Sequence, residues 1–405
     1  MPWSLRRQFL RAIHRADLSK SGLGKALFFV CALFRLHVVT PADGDDILLF
    51  KMKILVLNDG IKGNFNQSLG LAGAFPGSDT EVLDVSLRGP GYRLFGRKGK
   101  SPLNSKVLAL LCCARAWSLA GRLLSFFWDG YSRTEGKKAD LVISAGSALA
   151  PVNMILGKNK RAGRTVNIMV PSMMPLRFFD FLIVPYHDYL RFRRNKPGNL
   201  IVTLGAPNTI NMDMLSRAAG ETGISKGRAT VTGVVIGGDD QNYRISASYA
   251  QRISDILFSA DNGNRYLFTT SRRTDAGAAR YLRQRLAGEP SVLYAEFPGY
   301  SRISRYPAIL GLCDRIIVTE DSINMISEAA STGLPVIIIG VERKKKKRLV
   351  FDLTIEKFVE KGYAQYIPLE KIDLLPLVIH DTRRGVGKGL RESEKCARQI
   401  LENLN

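Results

Sequence analysis

An α/β protein of two doubly wound, Rossmann-like domains facing a cleft is the fold this sequence predicts, on three observations. The first is length: 405 residues exceed a usual single core, so two domains of about 150 to 200 residues are expected. The second is alternation, because apolar strand-like runs trade places with helical patterns twice over. The third is a polar stretch, Asn211 to Gly227, that separates the two series and marks a crossing between domains.

The elements follow in order. Residues 1–50 form a basic, amphipathic N-terminal extension. Residues 51–215 form the first domain, opening on the buried-strand run Lys53 to Asn58 and a glycine-containing loop, Asp59 to Gly63, that enters a helix. Further strands are expected at Val82–Val85, Leu141–Ala145, Val166–Val170, Phe181–Val184 and Leu200–Leu204. Residues 216–386 form the second domain, with strands at Ala229–Ile236, Tyr266–Thr270, Val292–Ala295, Ile316–Val318 and Val336–Ile339. Residues 387–405 supply a closing helix expected to return to the first domain. No repeat of solenoid length interrupts this order.

Lysine and arginine total 59 against 36 acidic residues, a net charge of +23, which calls for an anionic partner. No RNA-recognition aromatic motif, zinc spacing or heptad-bearing basic helix accompanies the charge, so no nucleic acid is expected and an anionic membrane surface is favoured. Five scattered cysteines, two of them adjacent at Cys112 and Cys113, and four histidines without ligand spacing argue for a reduced cytoplasmic setting and no bound metal. Two segments suit a membrane interface. In residues 1–15 Trp3, Phe9, Leu10 and Ile13 alternate with Arg6, Arg7, Arg11 and Arg15. In Val107 to Tyr131 leucines and aromatics are joined by Arg115 and Arg122. The longest uninterrupted apolar run of the extension, Ala26 to Phe34, is too short to span a bilayer. A peripheral position on the inner face of the cell membrane is the expectation.

The densest chemistry lies between Asp314 and Gly340. A strand, Ile316 to Val318, gives way to small polar residues and then to a helix that begins close to Asp321 and Ser322 and ends near Gly333; Val336 to Ile339 is the next strand. Free N–H groups and the positive end of the helix dipole then point out of the carboxyl edge of a parallel sheet, where a diphosphate binds. Two turns on, Glu328 offers a carboxylate able to accept two hydrogen bonds from a ribose diol, and the pattern reads as a nucleotide-sugar site. The alternative for Ser322 is a plain N-cap. Gly237 and Gly238 end a strand without side chains and let backbone amides approach a phosphate. Arg272 and Arg273 follow the next strand at the same sheet edge, where a guanidinium can neutralise a diphosphate leaving group. Asp239-Asp240 is adjacent rather than spaced and caps the following segment in the alternative reading. The run Arg343 to Arg348 is a solvated loop or a holder of anionic headgroups or donor diphosphate.

Several motifs in register carry a family resemblance over about Met52 to Pro368. They are Asp59-Gly60, Gly63 and Asn66 to Ala72, Asp140 to Gly146, Val184 to Asp188, Val202 to Ala206, Ile236 to Gly238, Thr270 to Thr274, and Val318 to Glu328. The chain resembles the Elm-type family, glycosyltransferases of bacteria grouped with a plant mitochondrial-fission factor. The resemblance implies a GT-B-like fold whose C-terminal domain binds the sugar nucleotide and whose N-terminal domain binds the acceptor, without a metal or other cofactor. It implies a donor site of Gly237, Gly238, Arg272, Arg273, Thr319, Asp321, Ser322, Asn324, Met325, Ser327 and Glu328. The acceptor side takes in Gly60, Lys62, Gly63, Asn66, Gln67, Gly146 and Ser147. The Gly60 to Gly63 loop would approach the donor phosphate or the acceptor, and Asp59 is the nearest general base for an acceptor hydroxyl. Lys62 and Asn64 stand where the family pattern has proline and histidine, and Ser147-Ala148 where arginine or histidine is usual. Asparagine cannot take a proton near neutral pH.

The function expected is transfer of a sugar from a nucleotide-sugar to an anionic or lipid-linked acceptor, in bacterial envelope glycolipid or lipopolysaccharide assembly. The alternatives are a catalytically inactive, membrane-associated scaffold of the fission type and a UDP-sugar 2-epimerase-like enzyme.

Overall fold

The computed structural model describes residues 36–39 and 47–50 as backbone, and 52–87, 116–134, 137–158, 163–172, 174–192, 194, 196–259, 263–298, 304–345, 348–382 and 387–404. Most of the N-terminal extension, the beginning of the Val107 to Tyr131 segment, Cys31, Cys112, Cys113, Lys346 and Lys347 lie outside the described residues. The chain divides into two compact units.

The first unit holds a six-stranded sheet. Its strands are β1 (Lys53–Asn58), β2 (Asp79–Asp84), β3 (Leu141–Ala145), β4 (Arg164–Ile168), β5 (Phe181–Pro185) and β6 (Leu200–Thr203), in the order β6-β5-β4-β3-β1-β2. The ladders β1 with β2 and β3, β3 with β4, and β4 with β5 are parallel. The chain therefore winds outward in both directions from β1 and β3, which form the switch point. Its helices are α1 (Lys62–Gly73), α2 (Trp117–Phe127) and α3 (Ala150–Lys158). Within Val107 to Tyr131 the described helix ends at Phe127, and Trp128–Asp129 leaves it as a short strand paired with Ser86–Leu87. Ile54, Val56, Ile143 and Ile168 share one core with Leu71 of α1 and with Cys396, Ala397 and Ile400 of the last helix, α10 (Glu392–Leu404).

The second unit holds a six-stranded sheet that is parallel throughout. Its strands are β7 (Thr230–Ile236), β8 (Asn264–Thr270), β9 (Val292–Glu296), β10 (Arg315–Thr319), β11 (Val336–Ile339) and β12 (Gln365–Ile367), in the order β9-β8-β7-β10-β11-β12. Counted within the unit this is 3-2-1-4-5-6, with the switch point between β7 and β10. Successive side chains of a strand point to opposite faces, so Ile317 enters one core and Ile316 and Val318 the other. Helices α5 (Ala247–Phe258) and α6 (Ala276–Leu286) cover the first face. Helices α4 (Met212–Gly220), α7 (Tyr306–Leu312), α8 (Ile323–Ser331) and α9 (Val350–Glu360) cover the second. Burial on both faces explains the unbroken Val-Ile-Ile-Ile of β11.

The sequence places the domain boundary at residues 215 and 216, whereas the units divide at Ile201 and Val202, and Val184–Lys196 also belongs to the second. Hydrogen bonds explain the shift. The Leu204 amide donates to Glu392 Oε1 at 2.8 Å and the Ala206 amide to Ser327 Oγ at 2.9 Å, tying the crossover to the second unit well before the polar stretch. A strand not expected from sequence, β12, completes that sheet; at three residues it is too short to show a pattern.

Candidate functional site

In the first unit, the switch-point loops bring Asp59 and Gly146 to one place. Gly60 has φ of +76°, a left-handed conformation that glycine adopts without strain, and this turns the chain from β1 into α1. Asn58 Oδ1 accepts the Gly60 amide at 3.0 Å, and Asp59 Oδ1 accepts the Ile61 amide at 3.0 Å. Asn64 Nδ2 donates to Asp59 Oδ2 at 3.1 Å. Gly146 ends β3 with φ of +83°, and a Cβ there would stand 2.9 Å from Asn64 Nδ2, so glycine admits the asparagine. Ser147 meets Ser172: their hydroxyl oxygens are 3.1 Å apart, and the Ser172 amide donates back to Ser147 Oγ.

Four residues expected in the acceptor-side loop lie instead on α1, which starts at Lys62. Lys62 and Gly63 form its first turn, Asn66 is half-buried and Gln67 is buried. The helix begins early because the Asp59 side chain already holds the Ile61 amide. Asn64, read from sequence only as a departure from a pattern, proves to be the residue that fixes the Asp59 carboxylate.

In the second unit, β7 ends in Gly237-Gly238, β8 in Ser271 to Thr274, and β10 in Thr319 to Ser322, all at one carboxyl edge. The Gly237 amide donates to Thr319 Oγ1 at 2.8 Å and the Gly238 amide to Asp321 Oδ2 at 2.9 Å. Thr319 Oγ1 donates to Asp321 Oδ1 at 2.6 Å, and an Arg273 guanidinium nitrogen lies 3.2 Å from Asp321 Oδ2. A Cβ on Gly238 would stand 2.2 Å from the Arg273 carbonyl carbon, so glycine is what lets these loops close. The expected phosphate amides of Gly237 and Gly238 are thus taken by Thr319 and Asp321, whose buried groups need those partners. Burial raises the Asp321 pKa above the usual carboxylate value, against the opposing pull of Thr319, Gly238 and Arg273.

Past this knot, α8 opens as the sequence predicts, with Ser322 Oγ as the N-cap of the Met325 amide. The helix closes at Gly333, where φ is +75°. The α8 N-terminus and the exposed Arg272, which has no hydrogen bond or ion pair among the described residues, remain as the positively polarised features of this edge. Glu328 is half-buried beside Tyr306, whose hydroxyl titrates well above the usual value, first through burial and then through the Glu328 charge. Asn324 is half-buried.

Two expected donor residues have other work. Ser327 is 0% exposed; it donates to the Ile323 carbonyl and accepts the Ala206 amide. Met325 packs against the core. Asp239 and Asp240 follow the capping alternative: Asp239 accepts the Ile245 amide, and Asp240 accepts those of Asn242 and Tyr243.

The basic run is also reassigned. Arg343 donates to Glu320 at 2.6 Å and to Asp352 at 2.9 Å, and Tyr366 donates to Glu320 at 2.9 Å. Glu320 is 1% exposed, and its buried charge requires this pairing. Lys344 donates to the Asp240 carbonyl and Arg348 to Glu356. The adjoining cavity of about 980 Å³ is lined by Glu320, Asp352, Glu356, Glu360 and Glu370 against Arg343 and Arg348, an acid excess that does not suit a diphosphate. The network escaped the sequence reading because its members come from four separate segments.

Among the described residues, no group of three or more His, Cys, Asp or Glu is placed to hold a metal ion, and no helix is long and apolar enough to cross a membrane.

Comparison with known proteins agrees with this architecture. The chain is 28% identical over 217 residues to mitochondrial fission protein ELM1 of Arabidopsis thaliana, covering 47% of this chain and 49% of that protein. It is 25% identical over 256 residues to uncharacterized protein RP120 of Rickettsia prowazekii, covering 56% of this chain and 71% of that one. The match thus spans about half the length of the Arabidopsis relative. Among solved structures, UDP-GlcNAc 2-epimerase from Neisseria meningitidis, bound to UDP-GlcNAc, superposes with a TM-score of 0.51 at 13% identity. That superposition covers 87% of this chain and 99% of the epimerase, and it shows the shared GT-B-like fold of two parallel-sheet units. With residues 62–404 matched by the family model described as mitochondrial fission ELM1, this chain belongs to that family.

Proposed function

We propose that this chain is a glycosyltransferase that moves a sugar from a nucleotide-sugar to an anionic or lipid-linked acceptor at the cytoplasmic face of a membrane, in envelope glycolipid or lipopolysaccharide assembly. The observation that carries the reading is the second unit's carboxyl edge: the N-terminus of α8 lies at the switch point of a 3-2-1-4-5-6 sheet, and Arg272, without a hydrogen bond or ion pair among the described residues, follows a strand of that edge. The helix dipole and the guanidinium together neutralise a diphosphate. Ser322 keeps a hydroxyl hydrogen to donate while its oxygen caps the helix, and Glu328, two turns on, is the ribose acceptor. The nucleotide-sugar is substrate, with no resident cofactor. The same fold holds UDP-GlcNAc in the Neisseria epimerase.

On the acceptor side, Asp59 takes the hydroxyl proton, with Asn64 holding one of its oxygens in place. The bond formed joins the acceptor oxygen to the anomeric carbon, and the bond broken releases the nucleoside diphosphate. A scaffold without catalysis is favoured by Asn64 itself, an amide that carries no proton between substrates. Titration calorimetry with nucleoside diphosphates and their sugars separates the readings. Selective binding of one diphosphate together with its sugar, and release of that diphosphate on adding membrane lipid extract, is the expected result. Binding of none would remove the enzyme reading.

A further inference from the structure

We infer that the carboxyl edge of the first unit is a subsite for an uncharged polyol, the hydroxyls of a sugar on the acceptor, and not for a phosphate, which deepens the glycosyltransferase reading above and rests on it. Four neighbouring strands, β4, β3, β1 and β2, end at this edge. Their ends carry Ser172 in the loop after β4, Gly146 and Ser147 after β3, Asn58 and Asp59 at β1, and Asp84 at β2. These side chains are fixed in pairs. Asn58 Nδ2 donates to Asp84 Oδ1 at 2.7 Å, and Asn64 Nδ2 donates to Asp59 Oδ2 at 3.1 Å. The Ser147 hydroxyl donates to Ser172 Oγ at 3.1 Å, and the Ser172 amide donates to Ser147 Oγ at 3.0 Å. Backbone strain holds the last pair together: Met169 has φ of +70°, and Asn167 Nδ2 fixes its carbonyl at 2.8 Å where the chain turns from β4 towards Ser172. Left unspent among the described residues are the hydroxyl hydrogen of the exposed Ser172, the side-chain oxygen of Asn64, and lone pairs on Asp59 and Asp84.

Charge decides the class of ligand. The chain carries a net charge of +23, yet its loop residues 58–64, 84–86, 146–149 and 168–172 hold the carboxylates of Asp59 and Asp84 against the single base Lys62. The N-terminus of α1, which by itself draws an anion, is answered from within, because Asp59 Oδ1 accepts the Ile61 amide at 3.0 Å. A phosphate at this edge would face both carboxylates. A sugar hydroxyl instead donates to a carboxylate or to the Asn64 oxygen and accepts from Ser172, using the groups that the pairs leave over. The lipid or anionic part of the acceptor is then recognised away from this edge.

The test is saturation-transfer NMR of the full-length chain with neutral methyl hexosides and with the same hexosides phosphorylated at the primary hydroxyl, while nucleoside diphosphates are titrated in parallel by calorimetry. A neutral hexoside is expected to bind, and its phosphate to bind more weakly at low salt, with the gap closing as salt rises. Ser172→Ala is expected to weaken hexoside binding about three- to tenfold, the worth of one hydrogen bond, at an unchanged thermal midpoint because the side chain is exposed. Asp59→Asn is expected to narrow the gap between hexoside and phosphate, a change of selectivity that a purely structural residue does not produce. If the phosphate binds the more tightly and Lys62→Ala removes that preference, the edge is an anion site and the inference is overturned. Equal hexoside binding by wild type, Ser172→Ala and Asp59→Asn would place the sugar elsewhere and overturn it too. If a nucleoside diphosphate binds and no hexoside does, in its presence or absence, the transferase reading stands and this subsite falls. If neither binds, both fall.

Discussion

A side chain on Gly237 has no room beside Asp321: its Cβ would stand 2.0 Å from Asp321 Oδ1. The carboxylate occupies that space because it accepts the Gly238 amide, the Thr319 hydroxyl and the Arg273 guanidinium at once. Strands β7 and β10 are thereby fastened across the switch point by side chains as well as by their ladder. Gly237→Ala is expected to cost roughly 1 to 3 kcal/mol in urea unfolding, the usual penalty for overpacking. The double variant Gly237→Ala/Asp321→Ala should cost less than the sum of its single changes, because the clash and its partner leave together. Strict additivity would show that the methyl group is accommodated elsewhere.

The two arginines of the β8 loop divide their work. Arg273 is committed to Asp321, while Arg272 is exposed with no internal partner among the described residues. Arg272→Ala is expected to weaken nucleoside diphosphate binding by roughly 1.5 to 3 kcal/mol, the value of a charged hydrogen bond, with an unchanged unfolding midpoint. Arg273→Ala should lower the midpoint. Calorimetry paired with denaturation on both variants reads the split, and the reverse pattern would exchange their roles.

Glu328→Ala is expected to lower nucleotide affinity by roughly 1.5 to 3 kcal/mol through loss of the ribose hydrogen bonds. A deoxyribose nucleotide provides the control. It should bind the wild type more weakly than the ribose form and bind the variant as well as the ribose form does. Equal preference in both proteins would take Glu328 out of the site.

Ser327 belongs to the same helix but is expected to act on stability alone. Ser327→Ala leaves the buried Ala206 amide without its acceptor, at a cost of about 1 to 3 kcal/mol. Nucleotide affinity should be unaffected. A loss of affinity without a loss of stability would return Ser327 to the donor site.

Acidification should act through His187. Its ring packs edge-on against Phe351 at 4.7 Å between centroids, and its Nδ1 has no hydrogen-bond partner among the described residues. Burial lowers its pKa below the ordinary 6.5. The unfolded chain then takes up a proton before the folded one does. His187 thus costs nothing above about 6.5, and stability falls as pH drops from there through the lowered folded value. His187→Gln should flatten this part of the stability profile in urea titrations across that range. An unchanged slope would assign the acid sensitivity to other groups.

The sequence by itself determined the two parallel sheets, eleven of their twelve main strands to within a few residues, and the start of α8 at Ser322. These are local matters: apolar runs long enough to be buried on both faces, and a polar cap followed by a helical period. It also marked the loops that carry Asp59, Gly146, Gly237, Arg272 and Asp321, since glycines and polar residues directly after strands sit at a carboxyl edge whatever the topology. Which of them touch was decided only by strand order. Placing β7 beside β10 spends the Gly237 and Gly238 amides on Thr319 and Asp321, and placing β1 beside β3 sets Asn64 against Gly146. Arg343, read from sequence as part of a solvated loop or a holder of anions, became the partner of Glu320 by pairing across 23 positions of sequence. Ser327 was turned inward by the return of the crossover at Ala206 across 121. A buried polar group must find its partner wherever the fold brings one, and that choice is made by long-range packing that no local pattern records.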